Sequence, residues 1–367
     1  MIDEKICGWL MDNADTPIRY RVARELLRDA GQAKRIEGAL LEHPVAARWL
    51  RDLKPEIPPM NTNCVEHGSF DFCLENAMLK AVRLGLHGGM PRVSDAVRYY
   101  VDDMKNAKAP YRDARGQPSQ TGRPQFAILT ANILSLAGIA DEHTRRYMMG
   151  SLDEMYNFVK QKIYEIYLDN VEKSRLTSVP KVWKNSRPFI KPELVGEYGF
   201  GYPLIYDIVG MHMLYSRDDP AANAKIDDII AYISTDEFHE KTADGYGILV
   251  DGGGAYHSMG WDPKYPGWFD AGQYINEGNM ARLLFFAEHI AKYPPARRTG
   301  WFTDLLGCLE KYRTDAGTYV FPGGWLKESV GYAVMGFHMS FGENRRGKNW
   351  REIESTFYMQ LLLQNAA

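Results

Sequence analysis

FDFCLENAMLKAVRLGLHGGMPRVSDAVRYYVDDM, residues 70–104, sets the fold class. Phe70, Leu74, Met78, Val82 and Leu86 recur at helical spacing on one face, and Leu79 and Leu84 widen it. Gly88, Gly89 and Pro91 break the helix. A second helix with Val93, Ala96, Val97 and Tyr100 as its apolar side follows, so the stretch predicts a helical hairpin.

The unit repeats loosely outward. Residues 128–156, 202–233, 278–312 and 331–363 each read as an apolar helix, a break and a more charged second helix. Leu84-Gly85 and Ala137-Gly138 sit at equivalent breaks roughly 50 residues apart, a spacing typical of helical-repeat units. Pro220 opens one second helix, and Pro294 and Pro295 mark another break. Near the N-terminus, residues 17–30 add a helix with Pro17 at its first position, Asp15 and Thr16 as caps and Gly31 as its end. Apolar first helices and charged second helices predict an inner ring and an outer ring around a cavity. The expectation is one all-α domain over 1–367, an (α/α)6 toroid, with a short hairpin within 244–253. Gly/Pro/aromatic loops at 105–124, 174–201, 240–275 and 313–330 are too long for simple connectors and suit a cavity mouth.

Composition narrows the functional classes. The 367 residues carry a net charge of -3, which argues against a nucleic-acid surface. No run approaches the ~18 apolar residues of a membrane span, and the acidic start MIDEKICGWLMDN has no signal-peptide pattern. Four scattered cysteines do not make a disulfide scaffold. A cytoplasmic protein is expected.

WLMDNADTPIRYRVARELL, residues 9–27, and NAMLKAVRLGLHGGMPRVSDAVRYYV, residues 76–101, resemble bacterial members of the terpenoid-cyclase and protein-prenyltransferase-like superfamily. Together they cover about an eighth of the chain. The resemblance implies the α/α toroid with its site in the central cavity. The Asp-x-Asp-Asp acid motif of the cyclases does not occur, nor do their Gln-rich, Trp-ended repeat and the Asp-rich diphosphate-binding signature.

Three clusters carry candidate chemistry. In the first, Cys64-Val-Glu-His67-Gly-Ser-Phe-Asp71-Phe-Cys73, His67 is a base or metal ligand, Asp71 orients it or acts as acid, and Cys73 at a helix N-terminus is a candidate thiolate. Asp71-x-Cys73 also resembles two of the three zinc ligands of protein prenyltransferases, with His143, His257 or His338 as a third. Simple helix capping by Asp71 and burial of Cys73 would explain the same residues. The second cluster is the loop from Asp251 to Asp270, where His257 is a catalytic candidate and Tyr256, Trp261, Trp268 and Asp270 are substrate contacts; a loop packed by its own aromatics is the alternative. The third is Tyr202, Tyr206 and Asp207 at the start of a first helix, with Glu277 in a comparable place and Trp325 as a further aromatic contact. Tyr206 and Asp207 suit proton transfer, and core tyrosines with satisfied hydroxyls are the competing reading. Glu343 to Arg346 and Trp350 to Glu354 read as a solvated cap, and His212 and His289 as satisfied core histidines.

The leading expectation is an enzyme performing acid–base chemistry on a small, largely apolar or aromatic molecule, by isomerisation, cyclisation, elimination or hydration, without a cofactor. A zinc-dependent transferase or hydrolase using Asp71, Cys73 and a histidine is the second reading. A non-catalytic lipid- or peptide-binding toroid is the third.

Overall fold

The structure, a computed structural model, describes residues 3–54, 66–105, 111–112, 118–119, 123–250 and 256–367. Helices dominate them. Strands are confined to two antiparallel ribbons, Tyr111–Arg112 with Pro118–Ser119 and Tyr246–Val250 with Tyr256–Trp261. The fold class is all-α, and the hairpin expected around 244–253 is the second ribbon.

The decisive hairpin forms with one shift. Its first helix is Leu74–Arg83, and Gly85 follows with a left-handed φ of 95°, which favours glycine at a helix end. Gly138 ends Arg123–Leu136 in the same way, with φ 76°. Phe70 lies outside the helix. The Asn76 side-chain amide donates to the Gly68 and Phe70 carbonyls at 2.7 and 2.8 Å and folds the preceding chain into a turn. Phe70 is therefore exposed and stacks on Phe72. The second arm is two short helices, Pro91–Ala96 and Arg98–Lys105.

First helices pack on first helices in chain order. Leu74–Arg83 packs on Arg123–Leu136, which packs on Ile205–Gly210. Ile205–Gly210 contacts Met280–Ile290, which contacts Trp350–Ala366. That last helix returns to the π-turn Val22–Leu26 that continues Thr16–Arg21. Arg21 closes the circuit by donating to the Arg83 carbonyl at 2.9 Å. Second helices lie against this series: Pro44–Asp52 on Leu74–Arg83, and Glu142–Val159 on both Arg123–Leu136 and Pro220–Ile233. One apolar cluster runs from Ile6 to Leu362, and a small one gathers Val179, Phe189, Ile248 and Val250. No helix among the described residues is long and apolar enough to cross a membrane.

Two boundaries differ from expectation. Gly31 lies inside Ala30–Glu42, because the preceding helix has already ended before Arg28, whose φ is 55°. Residues 331–349 are not a helix apart from the 3-10 turn Ala333–Met335. Gly336 there has φ 77°, and a Cβ on it would collide with the Ala281 carbonyl. The close approach of two backbones fixes this loop over the Met280–Ile290 helix.

Candidate active site

The turn 66–73 delivers His67 and Asp71 to the N-terminal end of Leu74–Arg83. His67 Nδ1 lies 3.0 Å from Glu75 Oε1, a carboxylate almost wholly buried on the first turn of the helix. The same carboxylate accepts the Gly68 N–H at 2.8 Å. A carboxylate only accepts, so Nδ1 carries the proton. Burial lowers the His67 pKa, but the charge and hydrogen bond of Glu75 outweigh it and hold the imidazole above its ordinary value. Tyr206 Oη lies 3.4 Å from the same nitrogen. The rings of Phe126, Tyr206 and Tyr332 surround the imidazole at 5.5–6.3 Å between centroids.

Asp71 is paired with Arg48, and its Oδ1, which has no hydrogen-bond partner, lies 3.5 Å from His338 Nε2. His338 is buried edge-on against Trp49. Its Nε2 lies 3.0 Å from the Gly331 carbonyl, an obligate acceptor, so Nε2 is the protonated nitrogen. Nδ1 is buried and faces Glu328 Oε1 at 3.7 Å. Glu328 Oε2 takes the Lys80 ammonium at 2.7 Å and the Ser340 hydroxyl at 2.6 Å. Burial opposes the Glu328 charge, but Lys80, His338 and Ser340 together hold its carboxyl well below the usual range. Burial also lowers the Lys80 pKa, with Glu328 opposing. The two histidines sit against one segment: Tyr332 packs on His67, Gly331 binds His338, and the Ala333 N–H donates to Asn76.

Cys73 does not become a thiolate. It caps the helix without a side-chain hydrogen bond to the first turn, and burial, then its neighbouring carboxylates, push its thiol up to about 12. Asp71 already holds a guanidinium. His338, one of the three expected third ligands, approaches Asp71. His143 lies on Glu142–Val159. Among the described residues no three His, Cys, Asp or Glu side chains are grouped to hold a metal ion.

His338 and Lys80 open onto a cavity of about 630 Å³. Leu79, Val82, Leu86, Leu136, Phe285 and Leu361 line its apolar walls. That size suits a small molecule.

The remaining expected contacts divide. Tyr202 is a core residue: it and Tyr167 each donate to Asp262 at 2.7 Å, and burial raises Asp262 to about 7 against those two bonds. Asp207 caps its own helix, accepting the Leu204 N–H at 2.9 Å and the Asn132 amide at 2.9 Å. Burial raises it to about 6. Asp207 is thus engaged as a cap, while Tyr206 meets His67. Trp268 and Asp270 line a separate cavity of about 450 Å³ with His239, Tyr274 and Arg282. There Trp268 stacks on His239, and Asp270 accepts from Gln273 N–H as the cap of Ala271–Glu277. Tyr256 packs on Trp183 with the small apolar cluster, and Trp325 packs on Tyr312 and Phe321 in the main core. The side chains of His257, Trp261 and Glu277, and all of Cys64 and residues 251–255, lie outside the described set. Most residues from Glu343 to Arg351 are exposed, as a solvated cap would be, while Arg345 pairs with the fully buried Glu354 at 3.0 Å.

Sequence reasoning missed Glu75, Lys80 and Glu328, and gave His338 only a metal role. Glu75 and Lys80 were visible as charges on an otherwise apolar helix face, which is the signal of a buried polar group with a partner. Comparison with protein-family models, curated proteins and solved structures yields no match for this chain. The side chains alone carry the functional reading.

Proposed function

We propose that this chain is an enzyme that moves protons on a small molecule held in the cavity, with His338 as the proton-exchanging group. The observation that carries the proposal is the held position of His338 in the cavity wall, with Nε2 engaged by Gly331 and Nδ1 facing Glu328. A proton taken there gives an imidazolium stabilised by Glu328 at 3.7 Å and Asp71 at 3.5 Å. Isomerisation, elimination, hydration and cyclisation all use a positioned group that exchanges protons with the substrate. The apolar walls suit a substrate that is small and largely apolar or aromatic.

The closed series of helix contacts supports an α/α toroid, divergent within the terpenoid-cyclase-like superfamily, and a cytoplasmic setting suits its free thiols. The density of held ionisable groups favours catalysis over passive lipid or peptide binding. The test is untargeted mass spectrometry of a small-molecule extract incubated with the protein. A compound converted without mass change, or with gain or loss of water, by wild type and not by His338→Asn supports the proposal. No conversion, or equal conversion by the variant, contradicts it.

A further inference from the structure

The cavity lining is strongly one-sided in charge. Arg21, Arg24, Arg28, Lys80, Arg83 and Lys292 face it, against only Glu25 and Glu288. Most of these cations stand at the C-terminal ends of the first helices, where the helix dipole and unpaired carbonyls attract positive charge. That structural role accounts for some of them. Arg21 is spent on Glu25 and the Arg83 carbonyl, and Lys80 on Glu328 and Ser340.

It does not account for the rest. Arg83 gives Nη1 to Glu288 at 2.6 Å and Nε to the Met339 carbonyl at 2.9 Å. Its Nη2 is buried with no hydrogen-bond partner, although the side chain is only 6% exposed. His289 Nδ1, beside Glu288 on the same helix, is likewise buried and unpartnered, so His289 is not the satisfied core residue expected. Among the described residues Lys292 meets only the imidazole of His212 within hydrogen-bond distance, at 3.2 Å. Arg24, Arg28 and Lys292 have no carboxylate within ion-pair distance among the described residues. A cation placed only to serve helix carbonyls would be bonded to them. An unspent guanidinium nitrogen and an ammonium in one cavity wall are the donor set for an oxyanion.

We infer that the substrate carries an oxyanion group, a carboxylate or a phosphate, bound by Arg83 and Lys292 beside His289, with Arg24 and Arg28 at the cavity rim. The inference rests on the cavity being the active site and names the class of molecule it takes: an apolar body with one acidic head. The anion must overcome the negative ends of the helices, and the surplus of cations supplies the attraction. Burial lowers Lys292 to about 8 against the more distant charges of Glu288 and Glu25, and an incoming oxyanion would hold its proton in place.

The test is calorimetric titration of the whole protein, at fixed ionic strength, with benzoate, phenyl phosphate and the neutral benzamide. Saturable binding of at least one anion, about tenfold or more tighter than benzamide, is expected. Lys292→Met should weaken that binding about tenfold, and the double variant Arg24→Gln/Arg28→Gln should weaken it less and reduce its salt dependence. The two arms tell a carboxylate site from a phosphate site. Benzamide binding as tightly as the anions, no binding of either anion, or unchanged binding by Lys292→Met overturns the inference. His338→Asn should bind the anions like wild type. Anion binding together with undiminished turnover by His338→Asn would sink the acid–base assignment alone. Absent anion binding together with loss of turnover in that variant would sink the head-group inference alone.

Discussion

Lys80 Nζ lies 2.7 Å from Glu328 Oε2, a fully buried ammonium paired across 248 residues of sequence. The pair ties the Leu74–Arg83 helix to the loop that carries His338. Removing one partner leaves the other charge buried without compensation. Lys80→Met is therefore expected to cost about 3 kcal/mol in denaturant unfolding. The double variant Lys80→Met/Glu328→Leu should recover much of that loss. Additive losses in the double variant would show that the two groups do not interact.

Gly336 holds the same loop from its other side. Its φ of 77° costs an alanine about 1 kcal/mol, and the new Cβ would also press on the Ala281 carbonyl. Gly336→Ala should destabilise by about 2–4 kcal/mol and disturb the His338 imidazole resonances. A variant as stable as wild type would mean that the loop has slack.

Glu343 gives a pH signature. Burial, with Asp15 and Glu354 nearby, raises it to about 8, although the Asp15 N–H donates to it at 2.7 Å. Its folded pKa lies above the unfolded value, so its contribution is fully present below pH about 4.5 and falls as pH rises to about 8. Glu343→Gln should leave stability at pH 5 nearly unchanged and, after allowance for partial solvent screening, raise it by about 1–2 kcal/mol at pH 9. Thermal unfolding across that range checks it. Equal effects at both ends would remove Glu343 as the cause.

Asp262 lies beneath the two tyrosines that donate to it. Tyr202→Phe removes one of those charge-assisted bonds and should cost about 1.5–3 kcal/mol. The folded pKa of Asp262, raised to about 7, would rise further, so the loss should be larger at pH 8 than at pH 5. A pH-independent loss would mean that Asp262 does not titrate in this range.

How much the sequence disclosed follows from what is local. The Leu84-Gly85 and Ala137-Gly138 breaks, the proline at the start of Pro220–Ile233 and the apolar face of Leu74–Arg83 are set by neighbours in the chain, and all were legible. His67 and Asp71 were legible as candidates because they cluster within a few residues. What orders them was not, because Glu328, His338 and Ser340 arrive from the far end of the chain through an irregular loop without periodicity. Cys73 misled for a related reason: a helix N-terminus suggests a thiolate, but burial dominates there. Tyr202 and Asp207 looked reactive because sequence shows a polar group and not its partner. Asp262, Leu204 and Asn132 satisfy them.

The central claim is that His338 exchanges protons with a bound substrate. Its most direct measurement is turnover in D2O of the compound identified from the extract, with deuterium in the product counted by mass spectrometry for wild type and His338→Asn. Deuterium delivered to carbon by wild type and abolished in the variant, whose fold is retained, is the predicted result. Product without solvent deuterium, or labelling undiminished in the variant, would contradict it.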